Sequence, residues 1–233
     1  MNPTDTYQDG RLHARPGLLR QLEHARHAPL AAGLHQINFS DGRTARLYVP
    51  SPSEAARPLP LLLLLHGAGG RQGGADHLAL AHAMRHGQLL LIPDAAGISW
   101  DVLRGGYGDD LAFIDRVLLW TMLRYEVDPE AVLIGGFSDG ASYALSVGLM
   151  NGDLFSDILA FSPGFMKPLR HTGQPRIYIS HGSADHILSV ALGRGIAQRL
   201  ARAGYAVEYA EFDGEHSVPP EIARQALQRL PPG

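Results

Sequence analysis

From residue 59 onward the chain alternates short apolar runs with longer mixed stretches. The runs cover 61–65, 89–92, 132–134, 158–161, 176–180 and 207–212, and each stops at turn residues such as His66-Gly67, Pro93-Asp94 or Asp213-Gly214. They are continuously apolar rather than alternating, which is how strands buried on both faces of a parallel sheet read. The stretches between them predict helices over about 75–86, 109–124, 139–150, 190–203 and 219–229. Leu111, Ile114, Val117 and Leu118 form one apolar face in the second of these. Pro219 and Pro220 open the last helix, where a missing N–H costs little. Upstream, 35–39 and 44–49 flank Asp41-Gly42, a hairpin signal. The pattern predicts an α/β fold: a mostly parallel, doubly wound sheet entered through an N-terminal hairpin. This domain spans 35–233. Residues 1–34 form an N-terminal extension with a short helix over 18–27, which either packs on the body or mediates a homodimer.

Composition narrows the function classes. The formal net charge of the 233 residues is -3, with 45% hydrophobic and 18% charged residues, values of a globular domain with a sizeable core. No basic stripe suggests nucleic acid, and no polybasic segment suggests an anionic membrane. With no cysteine, a thiol nucleophile and a Cys-based metal site are excluded. The first ten residues lack the basic start and apolar stretch of a signal peptide, and the longest apolar run is too short to span a bilayer. A cytoplasmic protein without a membrane span is the expectation.

In doubly wound sheets ligands bind outside the carboxyl ends of the strands, so the residues after each apolar run carry the chemistry. Gly136-Phe137-Ser138-Asp139-Gly140 fits G-x-S-x-G between a predicted strand and a predicted helix, the context that lifts a serine hydroxyl above a sheet. Ser138 is the candidate nucleophile. A serine hydroxyl needs a base to take its proton, and His216 lies between the last strand and last helix. The base needs a carboxylate to hold its tautomer, and Asp185 follows the penultimate strand. Asp157 precedes its strand, at the wrong end of the sheet, while Asp213 and Glu215 read as turn residues. The oxyanion of such a reaction needs backbone N–H donors. Asp139 supplies one, and Ala68 in His66-Gly67-Ala68-Gly69-Gly70 supplies the second. A phosphate-binding reading of that loop fails, because Gln72 stands where G-x-G-x-x-G needs its last glycine.

With these motifs the chain resembles compact esterases of the α/β-hydrolase superfamily, in the phospholipase/carboxylesterase group. It is also similar to polyhydroxybutyrate-depolymerase-like and feruloyl-esterase-like proteins. The resemblance covers roughly residues 35–230. It implies Ser138, Asp185 and His216 as a catalytic triad, Ala68 and Asp139 as oxyanion donors, and no cofactor. One departure is that Asp185 is followed by His186-Ile187-Leu188-Ser189, without the proline usual in relatives, a change of loop shape.

Only about a dozen residues, 163–175, stand where many relatives carry a helical lid, so no large lid fits and an open site is expected. Trp100, Tyr107, Phe137, Phe165 and Ile187 are the candidate substrate contacts, with Leu103 and Met166 as further wall residues; Trp100 could instead be a core plug. Such a wall suits apolar or aromatic acyl groups. No cation is placed well enough to argue for an anionic substrate. His82 and His86 share a helix face but lack a completing carboxylate, so no metal is expected. The expected partners are a small-molecule ester and water. The alternatives are a thioesterase or lysophospholipase with the same triad, a peptidase, or a hydrolase-fold ligand-binding protein with little turnover.

Overall fold

The computed structural model describes residues 7–16, 27–51, 58–70 and 75–230. A helix expected over 18–27 lies almost wholly outside them. The strands are β1 (Gly33–Asn38), β2 (Thr44–Val49), β3 (Leu59–Leu65), β4 (Leu89–Pro93), β5 (Val127–Phe137), β6 (Asp157–Phe161), β7 (Arg176–Gly182) and β8 (Val207–Phe212). The helices are α1 (Ala75–His86), α2 (Asp109–Met122), α3 (Asp139–Met150), α4 (Val190–Arg202) and α5 (Pro220–Leu227). All eight strands form one sheet in the order β1-β2-β4-β3-β5-β6-β7-β8. β1 and β2 pair antiparallel, as does β2 with β4, and every other pair is parallel.

The continuous apolar strands sort by parity into two layers. On β3, Leu61, Leu63 and Leu65 face the core under α2, α3 and α4, while Leu62 and Leu64 face α1 and α5. On β7, Ile177 and Ile179 face the first layer and Tyr178 the second. This two-sided burial is why the runs read as apolar at every position.

β5 begins at Val127, five residues before the apolar run it contains. Leu59 pairs with Val127 and Leu61 with Val132, so the register shifts across Asp128-Pro129-Glu130. The extra length comes from pairing with β3, a partner no local pattern reveals.

Residues 7–16 lie as a strap against α2 and α3. Asp115 Oδ1 accepts from the N–H groups of His13 and Ala14, both at 2.8 Å, and its Oδ2 accepts from the Tyr7 hydroxyl at 2.8 Å. The side-chain amide of Asn151 donates to the Gly10 carbonyl, and its oxygen accepts from Leu12 N–H. Leu12 and Ala14 are thereby buried in the larger core layer. Arg11 and Arg15 both reach Asp153, at 2.6 and 3.2 Å.

The segment 163–175 forms no helix and runs along α3. Gly164 N–H donates to Ser142 Oγ, and Lys167 N–H donates to Ser146 Oγ, both at 2.9 Å. Among the described residues no helix is long and apolar enough to cross a membrane.

Candidate active site

Ser138 sits between the end of β5 and the first residue of α3, with φ 58° and ψ -120°. Its N–H donates to the Phe161 carbonyl at 2.9 Å, and its own carbonyl accepts from Ser142 N–H at 3.0 Å. The turn is tight enough to demand glycine on both sides. A Cβ on Gly136 would lie 2.4 Å from the Gly140 carbonyl, and one on Gly140 would lie 2.2 Å from the carbonyl oxygen of Leu65.

His216 and Asp185 arrive on two loops that are hydrogen-bonded to each other. Ser183 N–H donates to Phe212 O, and Ala184 N–H to Gly214 O. Their approach is so close that a Cβ on Gly182 would meet the carbonyl oxygens of Gly214 and Glu215 at 2.4 Å. The result is a continuous chain: Ser138 Oγ is 2.9 Å from His216 Nε2, and His216 Nδ1 is 2.6 Å from Asp185 Oδ2. An ionised carboxylate only accepts, so Nδ1 carries the ring proton and Nε2 is left to accept from the serine hydroxyl.

Asp185 is held in turn. Oδ1 accepts from Ile187 and Leu188 N–H at 2.9 and 2.8 Å, which fixes the carboxylate to the loop that follows it. Burial pushes the Asp185 carboxyl up, but the hydrogen bonds from Leu188, His216 and Ile187 outweigh it and hold it below the usual carboxylate range. It therefore stays ionised beside the base.

Sequence reasoning missed His181. This fully buried side chain places Nε2 2.8 Å from the Leu188 carbonyl and 3.3 Å from Asp185 Oδ2. Nε2 must donate to the carbonyl, and its proton also faces the acid. Conversely, Asp157, expected just before its strand, is the first residue of β6 and lies at the opposite end of the sheet, paired with Arg176.

The loop after β3 is fixed by His66. Its Nε2 accepts from Ala95 N–H at 3.0 Å, so Nδ1 donates to the Gly67 carbonyl at 2.7 Å. Beyond Ala68, Gly69 N–H donates to Ile98 O and Gly70 N–H to Gly67 O. Asp139 opens α3, where the N–H groups of the first turn have no acceptor within the helix. Its carboxylate accepts from Ser99 Oγ at 2.7 Å, tying the 97–108 loop to the serine turn.

The expectation that Trp100 contacts substrate is corrected. Its exposure is 0%, its ring stacks on Tyr143 at 5.2 Å, and its Nε1 donates to the His66 carbonyl at 2.9 Å. The indole is a core plug beneath the Gly67-Ala68 loop, because the buried carbonyl needs a donor and the ring fills the space beside Tyr143. Asp101, next to it, accepts from Tyr143 Oη and from the N–H groups of Gly108 and Asp110, holding the glycine-rich loop. Phe137 is buried against the His216 ring, centroids 4.7 Å apart. Tyr107 is buried, with its hydroxyl donating to Lys167 O at 2.7 Å. Phe165 is half-buried, and Ile187 is 72% exposed. His82 and His86 lie ring to ring on α1, 4.3 Å apart.

Comparison with known proteins agrees with this architecture. The phospholipase/carboxylesterase family matches residues 116–230. A probable feruloyl esterase C of Aspergillus niger is 26% identical over 179 residues, covering 73% of this chain and 64% of that protein. The chain thus spans just under two thirds of that relative's length. The structure of a ferulic acid esterase from Anaeromyces mucronatus superimposes with a TM-score of 0.61 at 16% identity, covering 89% of this chain and 93% of that one. A fluorophosphonate-binding serine hydrolase of Staphylococcus aureus gives a TM-score of 0.66 at 15% identity, over 86% and 97% of the two chains. Its sheet order, its connections and these likenesses give the chain the α/β-hydrolase fold, and residues 116–230 are similar to the phospholipase/carboxylesterase family.

Proposed function

We propose that this protein hydrolyses carboxylic esters through an acyl-enzyme on Ser138. The observation that carries the proposal is the unbroken chain Ser138 Oγ–His216 Nε2 and His216 Nδ1–Asp185 Oδ2, at 2.9 and 2.6 Å. His216 takes the hydroxyl proton as Ser138 Oγ attacks the ester carbonyl carbon. The negative charge moves to the carbonyl oxygen, where the N–H groups of Ala68 and Asp139 receive it. The C–O bond to the alcohol then breaks, and the protonated His216 gives its proton to the leaving oxygen. Water attacks the acyl-enzyme in the same way, with His216 as base, and the acid leaves as Ser138 recovers its proton. Asp185 holds the imidazole in the required tautomer and balances its charge when protonated.

Short or medium acyl groups and aromatic acids suit the site. The absence of a helix in 163–175 leaves it open, and Phe165 and Ile187 offer apolar surface. The likeness to proteins named feruloyl esterases supports an aromatic acid. The test is hydrolysis of p-nitrophenyl esters from acetate to laurate by wild type and Ser138→Ala. The variant is expected to lose on the order of 10⁴-fold or more in kcat. A variant that keeps its rate, or a wild type inert on every ester, refutes the proposal.

A further inference from the structure

Lys167 is the sole lysine in the sequence. It is exposed and, among the described residues, has no carboxylate partner, whereas its cationic neighbours do: Arg104 with Asp110, Arg170 with Asp9, and Arg11 with Asp153. Its backbone is clamped at both polar atoms, the N–H on Ser146 Oγ and the carbonyl under the Tyr107 hydroxyl. The side chain folds back along its own loop, placing Nζ 5.2 Å from the centre of the Phe165 ring. Phe165 N–H in turn lies 3.3 Å from Ser142 Oγ, one turn of α3 beyond Ser138. Ser146 is eight residues beyond Ser138 on α3, about 12 Å along the axis, and the ammonium lies over the ring of Phe165, whose backbone is held one helical turn nearer the serine. Beside it opens a cavity of about 750 Å³, walled by Leu103, Tyr107, Lys167, Leu169 and, from the N-terminal strap, Gln8.

We propose that this cavity is a substrate subsite selecting esters that carry an anionic group at the end remote from the scissile bond. It rests on the esterase reading above and adds the substrate class. The apolar middle of such a molecule crosses Phe165, and its carboxylate, sulfate or phosphate meets Lys167. A singly charged ammonium without a carboxylate partner among the described residues loses no ion pair when it turns to a ligand, while each neighbouring arginine would have to leave one.

The experiment compares esters with and without the remote charge: monomethyl suberate against methyl octanoate, and 6-acetoxyhexanoate against hexyl acetate. These pairs put the anion on the acid and the alcohol side respectively. The readout is the ratio of kcat/KM within each pair. Wild type is expected to have a ratio about fivefold higher than Lys167→Met for at least one pair at low salt, the size of a partly exposed ion pair. Lys167→Arg should keep it, and added salt should erode it. Equal ratios in wild type and Lys167→Met for both pairs overturn the proposal. Calorimetric titration of monomethyl suberate and 6-acetoxyhexanoate into Ser138→Ala needs no turnover. Binding there that Lys167→Met abolishes upholds the anion site even if no ester is hydrolysed, and binding of neither, or binding indifferent to Lys167→Met, overturns it. Failure of the esterase reading shows separately, as all four esters untouched by wild type.

Discussion

Trp100→Phe separates a structural indole from a substrate-binding one. The substitution removes the Nε1–H that the His66 carbonyl accepts at 2.9 Å and leaves that carbonyl buried without its donor. An unmet buried acceptor costs about 1–3 kcal/mol. The phenyl ring also leaves a void of roughly 40 Å³, worth about 1 kcal/mol at about 24 cal/mol per Å³. A total of about 2–4 kcal/mol lowers Tm by on the order of 10 °C in a chain of this size. The His66 carbonyl leads directly into Gly67 and Ala68, so the loop carrying one proposed oxyanion donor loosens with it. Displacement of such a donor is expected to lower kcat by about 10- to 100-fold. KM should change little, and to the same extent for every acyl length, because the indole is 0% exposed. Thermal melts and p-nitrophenyl ester kinetics from acetate to laurate read both quantities. A variant as stable as wild type, with KM rising steeply as the acyl chain lengthens, would sink the core-plug reasoning and make Trp100 a substrate wall.

Two further outcomes follow from the same geometry. Gly140→Ala puts a methyl 2.2 Å from the Leu65 carbonyl oxygen, backbone against backbone, so a loss of about 3 kcal/mol or more is expected, and an unchanged melting curve would contradict it. At Asp153, burial raises the carboxyl pKa, but Arg11 and Arg15 outweigh it and hold it at about 2. A folded pKa below the unfolded value, about 3.9, gives stability that is present above about pH 4 and lost as the pH falls toward 2. Pepsin cleavage at Leu12 in the strap should therefore rise between pH 4 and 2 in wild type and be high already at pH 4 in Asp153→Asn; identical pH profiles for the two would refute the clasp.

Much of the fold was legible because strands buried on both faces must be apolar throughout, and the glycines and prolines that stop them are local. The order Ser138, Asp185, His216 was legible for the same reason: the three lie one, three and four residues past the ends of β5, β7 and β8. What stayed hidden depends on partners distant in sequence. Residues 7–16 carry no periodicity, and their place is set by Asp115 and Asn151, more than a hundred positions away. The indole of Trp100 looks the same in sequence whether it faces a ligand or the His66 carbonyl. His181 reads as a strand-end residue, yet it is buried to 0% exposure because α4 crosses at Gly193, where a Cβ would come within 2.5 Å of the His181 ring.

The strained residues show how the sheet hands its edge to the site. Among the described residues, Ser138 and Ser162 are the only non-glycine residues with positive φ, at 58° and 52°. Both stand one residue past the ends of neighbouring strands, β5 and β6. Each still donates a ladder-type bond, Ser138 N–H to Phe161 O and Ser162 N–H to Ser180 O. At both positions the chain turns out of the sheet through a positive φ within a single residue of its last ladder bond. Such a conformation costs on the order of 1–3 kcal/mol per residue and persists only where surrounding bonds over-determine it. At Ser138 they do, through the Phe161 carbonyl on one side and both Ser142 N–H and Ser142 Oγ on its own carbonyl. Glycine would relieve the strain but would forfeit the hydroxyl that lies 2.9 Å from His216 Nε2, so the serine holds that hydroxyl in place at a cost in backbone strain.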